Sequence, residues 1–188
     1  MSAVFLINLF LISFLFQSTL MQYATFGGVR PDLILLLVCL VGLFFGRQRG
    51  LMLGALAGLI QDCLSGGVFG LNTLSKSLIG FATGVLQRHV GFHYRLLQAL
   101  LVALLTAFDG LLTFGVARLF HGVESSLLRP AGALVAYQIV YNGLVAVPYF
   151  AVLSRVARRY LPTREFTDLP ASPPGLRRLL QRKAYRRP

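Results

Sequence analysis

Acidic side chains are scarce in this sequence: six Asp and Glu in 188 residues, against eighteen Lys and Arg. Tryptophan is absent, cysteine occurs twice, and charged residues of either sign make up only 13%. A soluble domain carries about a quarter charged residues. That shortage excludes a disordered chain and a nucleic-acid-binding globule. It also changes what the net charge of +12 means, because in an apolar chain a basic excess reports cytoplasmic loops and tails. Cys39 and Cys63 both lie in apolar runs and read as small buried residues, not as a disulfide or metal ligands. The usual catalytic signatures are missing too: no His-Glu-x-x-His, no nucleotide-binding glycine loop, no Gly-x-Ser-x-Gly. His89 and His93 are four apart, but no third ligand stands near them, and His121 falls on the other side of the expected membrane. Neither an enzyme nor a metal or cofactor site is expected.

What the chain has in quantity is hydrocarbon. Hydrophobic residues are 56% and the mean hydropathy is +0.71. The expected class is all-α: an integral membrane protein with a six-helix transmembrane bundle. Apolar runs place the spans at about 3–23, 31–46, 50–65, 69–87, 96–117 and 131–154. The second and third are short, so a re-entrant pair is the alternative for them. Arg47-Gln48-Arg49 reads as a tight basic loop between them, and Pro148 as a kink in the sixth span. With both termini cytoplasmic, Arg47, Arg49, Arg88, Arg95 and the ten Lys and Arg from Arg155 onward lie inside. Only Arg30, Arg118 and Arg129 lie outside.

Within the spans, two patterns stand out. Gly46, Gly50, Gly54 and Gly58 repeat every four residues, a stripe that lets another backbone approach closely. The approaching helix belongs either to this chain or to a partner. Asp62, Lys76 and Asp109 are ionisable residues inside spans, each costly there unless paired or functional. At 1.5 Å per residue, Asp62 and Asp109 lie about 18 and about 20 Å from the inner surface, and Lys76 about 10 Å from the outer one. With Asp32 at the outer surface and Asn72 one turn before Lys76, these groups share the outer half of the bilayer. The expected pair is Lys76 with Asp62, and Asp109 is the second choice. The cluster reads as helix-joining glue, as a small-molecule pocket, or as a docking site. The flanks of Asp62 and Asp109 do not support an aspartyl membrane protease.

The chain therefore divides into a transmembrane domain, 1–157, and a basic, proline-containing tail, 158–188. In the tail, Leu176, Leu179 and Leu180 stand among six Lys and Arg. That pattern suits either a short amphipathic segment on anionic membrane lipid or a polybasic tail that only sets orientation.

One sequence of motifs carries a resemblance. Arg30-Pro31-Asp32 opens the second span. A basic loop and a glycine-rich helix follow, ending in Gln61-Asp62-Cys63-Leu64-Ser65-Gly66-Gly67, and then come Gly70-Leu71-Asn72. In this order and spacing the segment resembles the MreD family over about residues 1–157. The resemblance implies a non-enzymatic subunit of the bacterial rod-shape and elongation machinery, without cofactors. Its implied partners are the periplasmic scaffold MreC, the actin-like MreB, and RodA with its class B penicillin-binding protein, all serving lateral peptidoglycan synthesis. The family is similar in helix layout to the substrate-binding subunits of energy-coupling-factor vitamin transporters. This makes a small-molecule-binding transporter subunit the alternative. The residues tied to the family motif and the polar cluster are Arg30, Pro31, Asp32, Gln61, Asp62, Asn72, Lys76 and Asp109.

Overall fold

A computed structural model describes residues 3–19, 29–65, 68–87, 95–121 and 128–160. Among them the chain forms six α-helices and no ladder of strands: α1 (Ala3–Thr19), α2 (Leu33–Phe45), α3 (Arg47–Ser65), α4 (Leu71–Leu86), α5 (Arg95–His121) and α6 (Leu128–Tyr160). Each expected span corresponds to one helix. Two of them, at Leu96–Val116 and Gly132–Leu153, are long and apolar enough to cross a membrane by length and composition. The others are shorter or more polar. Residues 161–188, and with them the tail expected from the sequence, lie outside the described residues, as do His89 and His93.

The centre of the fold is α2. All but its last residue are buried, and Ile34 through Cys39 have no exposed surface at all. A helix that is apolar on every side belongs inside a core. At 13 residues it is about 20 Å long, too short to cross about 30 Å of hydrocarbon unaided. The surrounding helices enclose it from Leu33 to Phe44. Leu9 of α1, Ala57 of α3, Ile79 of α4, Leu101 and Val102 of α5, and Ala146 and Phe150 of α6 complete the same core.

Two expectations about local structure, the basic loop and the burial of Cys63, are corrected. Arg47-Gln48-Arg49 is the first turn of α3, not a loop. The whole connection between α2 and α3 is Gly46, whose φ of 87° is open to glycine and strained for other residues. Gly46 thus makes the turn, and its backbone is closely approached by Gly84 of α4. Cys63 is exposed, while Cys39 is buried as expected; both are free thiols. α6 continues through Pro148 to Tyr160.

The remaining stripe glycines pack inside the chain. α3 and α4 run antiparallel with their backbones touching. A methyl group on Gly50 would overlap the carbonyl of Gly80, one on Gly54 the carbonyl of Lys76, and one on Gly58 the carbonyl of Asn72. From α4, Gly80 meets Gly50 and Gly84 meets Arg47. Gly42 of α2 adds a close approach from a third helix, against Thr83, whose hydroxyl turns back to the Ile79 and Gly80 carbonyls at 2.9 and 3.0 Å. Close backbone packing of this kind suits helices in lipid, where side-chain burial supplies little drive for association.

The outside is correspondingly apolar. Ile7, Leu11 and Leu15 of α1, Met52, Leu56 and Leu64 of α3, Leu104 and Leu111 of α5, and Val140 and Leu144 of α6 are all exposed.

Candidate functional site

Three helix ends meet at one level: the start of α2, the end of α3 and the start of α4. Each start needs partners for backbone N–H groups that the helix itself leaves unpaired. Asp32 caps α2, its Oδ1 accepting from the Leu35 N–H at 2.9 Å. Gln17 of α1 takes a second donor, the Ile34 N–H, at 3.0 Å. Pro31 stands just before the cap, two residues ahead of the first helical residue, and is buried; Arg30 is exposed.

The start of α4 has a different solution. Its cap position is Gly70, with φ 92° and no side chain to offer. Asp62 of α3 supplies the carboxylate from across the turn. Its Oδ1 accepts from the Asn72 N–H and Nδ2, each at 3.0 Å. Its Oδ2 accepts from the Thr73 N–H at 2.9 Å and the Thr73 hydroxyl at 2.6 Å. Four donors and the positive end of a helix thus surround one carboxylate.

Lys76 is one turn further along α4 and is 1% exposed. Its Nζ lies 3.3 Å from Asp32 Oδ2, 4.0 Å from Asp109 Oδ1, and 3.3 Å from Asn72 Oδ1, to which it donates. This corrects the expected pair. Asp62 is occupied as the cap of α4 and is linked to Lys76 through Asn72; the direct partners are Asp32 and Asp109. Asp32 itself is buried, at 8% exposed. Asp109 in addition accepts a short hydrogen bond from the Ser75 hydroxyl. Gln61 does not join the cluster through any hydrogen bond: its Oε1 is shielded from solvent and has no partner among the described residues.

Asn142 of α6, which the sequence reading did not single out, is fully buried at the edge of this network. Its Oδ1 accepts from the Asp32 N–H at 2.9 Å, and its Nδ2 donates to the Thr106 hydroxyl of α5 at 3.1 Å. A second polar contact, Ser13 with Tyr149 at 2.8 Å, ties α1 to α6. The signal for Asn142 was present as an amide in the middle of an apolar run, which carries the same desolvation argument as an ionisable residue there.

Together Asp32, Asn72, Ser75, Lys76, Asp109, Thr106 and Asn142 connect α2, α4, α5 and α6, and Asp62 brings in α3. The arrangement is one of mutual satisfaction: the cation is shared by two carboxylates, and the third carboxylate holds a helix start. No group of three or more His, Cys, Asp or Glu suited to a metal ion occurs among the described residues. Among the described residues the chain is all-helical, its exterior is apolar, and buried ions and hydrogen bonds join its helices beside the apolar core, a combination foreign to a soluble domain. It defines the class, a helical membrane protein with a polar core.

The family follows from comparison. The model of a family described as rod shape-determining protein MreD matches residues 1–156. The chain belongs to the MreD family of rod-shape-determining membrane proteins. No solved structure matches it.

Proposed function

We propose that the chain is a non-enzymatic, multi-pass subunit of the bacterial rod-shape complex in the cytoplasmic membrane. Its six helices cross the membrane with both termini cytoplasmic, residues 1–157 forming the membrane domain and 158–188 a cytoplasmic tail. It scaffolds MreC most directly, together with MreB and the RodA–class B penicillin-binding protein pair, during lateral peptidoglycan synthesis. The observation that carries this reading is the family match over residues 1–156. The polar core supports it, because the membrane-depth carboxylates are engaged with Lys76, Asn72, Thr73 and Ser75 and act as fixed joints between helices. No observation favours the vitamin-transporter reading.

Topology is tested by reporter fusions: Gly66 and Glu124 should read outside, and Gln48, Gly91 and the tail inside. A tail that reads outside overturns the six-span arrangement. Function is tested by affinity purification from native membrane. Recovery of MreC, with loss of rod shape on depletion, is the expected result. Recovery of an ATPase module instead, with normal cell shape, refutes the scaffold role.

A further inference from the structure

The ions of the polar core do not balance. Asp32, Asp62 and Asp109 stand against the single cation of Lys76. Asp62 is compensated locally, since four donors and the positive start of α4 surround it. Lys76 is left to serve both Asp32 and Asp109, a set with one negative charge in excess. An uncompensated charge withdrawn from water is costly, and a carboxylate so placed neutralises by taking up a proton.

The two carboxylates are not equivalent. Asp32 Oδ2 lies 3.3 Å from Lys76 Nζ, and its Oδ1 accepts from the Leu35 N–H at the start of α2. Asp109 has the longer contact with Nζ, 4.0 Å, and among the described residues one hydrogen-bond donor, the Ser75 hydroxyl. It sits within α5, away from either helix end, so no macrodipole assists it.

We propose that Asp109 is an exchangeable proton site. Ionised, it shares Lys76 with Asp32. With a proton taken from water onto one carboxyl oxygen, it leaves a charge-balanced Asp32–Lys76 pair, and its other oxygen still accepts from the Ser75 hydroxyl. Uptake of the proton thus exchanges an ionic tie between α4 and α5 for a neutral hydrogen bond. The charged and titratable groups acting on Asp109 are Lys76 of α4 and Asp32 of α2, with the Cys39 thiol of α2 beside them. Asp62 of α3 acts on Lys76, and Tyr149 of α6 on Asp32. The α6 group bonded into the network is the neutral amide of Asn142. An ordinary thiol and phenol are neutral below about pH 8, so the excess charge falls to the carboxylates.

The test uses the full chain in lipid nanodiscs. Infrared difference spectra are taken as the pH is lowered from about 8 to about 5, where solvated carboxyls stay largely ionised. A protonated-carboxyl band should appear, shift in deuterium oxide, persist in Asp62→Asn and vanish in Asp109→Asn. A folded protein that holds this proton, where the unfolded chain has released it, loses stability as pH rises. In denaturant titrations over the same range, the folded-to-unfolded ratio of the parent should fall relative to Asp109→Asn by up to about tenfold per pH unit. The three histidines are common to both proteins and cancel in the comparison. Exchanging choline for sodium at constant ionic strength should change neither readout. No band in the parent, a band that survives Asp109→Asn, or parallel pH profiles for parent and variant each overturn the proposal. Suppression of the band by sodium also overturns it, by assigning the excess charge to a metal cation. If Asp109→Asn yields no folded protein, Ser75→Ala decides: loss of the hydroxyl that donates to Asp109 should shift the band, and an unshifted band refutes the assignment. Neither readout involves MreC or cell shape, so failure here is distinguishable from failure of the scaffold role.

Discussion

Replacing Lys76 by Met removes the one cation at the centre of the polar core and leaves Asp32 and Asp109 facing each other in a nearly dry site. At an effective dielectric constant of 20, attraction over 3.3 and 4.0 Å is worth about 5 and about 4 kcal/mol. Desolvation of the ammonium offsets much of that in the intact protein. The loss on deleting one partner is larger than the net worth of the pair, because the remaining charges stay buried, and about 3–5 kcal/mol is the usual scale. The folded-to-unfolded ratio should therefore fall by a factor of roughly one hundred to several thousand. Denaturant titration of the purified protein in lipid–detergent micelles measures this, with fluorescence-detected size exclusion as a first screen. The structure makes a sharper demand on combinations. Adding Asp109→Asn to Lys76→Met should recover part of the loss by removing one of the stranded charges. Exchanging Asp62 and Lys76 should recover nothing, since a lysine at 62 cannot accept the Asn72 and Thr73 N–H bonds. A Lys76→Met protein as stable as the parent, or rescue by the Asp62–Lys76 exchange, would refute the assignment of partners.

Other changes test the remaining joints. Asp62→Ala should cost about 1–3 kcal/mol by stranding the donors at the start of α4, with Asp62→Asn milder because an amide oxygen still accepts; the same titration reads both. Gly54→Leu should abolish folded protein, since even a methyl group there meets the Lys76 carbonyl. Gly115→Ala and Gly132→Ala, with nothing within 4 Å, should leave the yield unchanged or raise it. Asn142→Leu should cost about 1–3 kcal/mol through the Asp32 N–H and Thr106 hydroxyl it leaves unmatched. Limited proteolysis should then show earlier release of the α5–α6 pair.

Hydropathy and charge alone determined the helical class, the number of helices and the positions of nearly all of them, because apolar runs and their interruptions are local properties. The glycine stripe was legible as a close-packing surface for the same reason: a four-residue repeat defines one helix face whatever meets it. Which helix meets it was not local. That α4 packs on α3, with Gly80 against Gly50, depends on two segments folding back on each other, which no local pattern dictates. The cost of an ion in hydrocarbon marked Asp62, Lys76 and Asp109, yet depth along a span carries no information about azimuth. Nor do Asp62 and Lys76 share a level, since Gly54 and not Asp62 lies opposite Lys76, and the cation turns to Asp32. Asp62 is claimed first by the N–H groups at a helix start whose own cap residue, Gly70, has no side chain. The sequence carried no sign that Asp32 is enclosed by protein; it is buried because α2 is the central helix and its start is contacted by Gln17 and Asn142. That centrality, and with it the position of every partner of Lys76, is decided only when all six helices pack, since a uniformly apolar 13-residue helix has no preferred face until its neighbours enclose it.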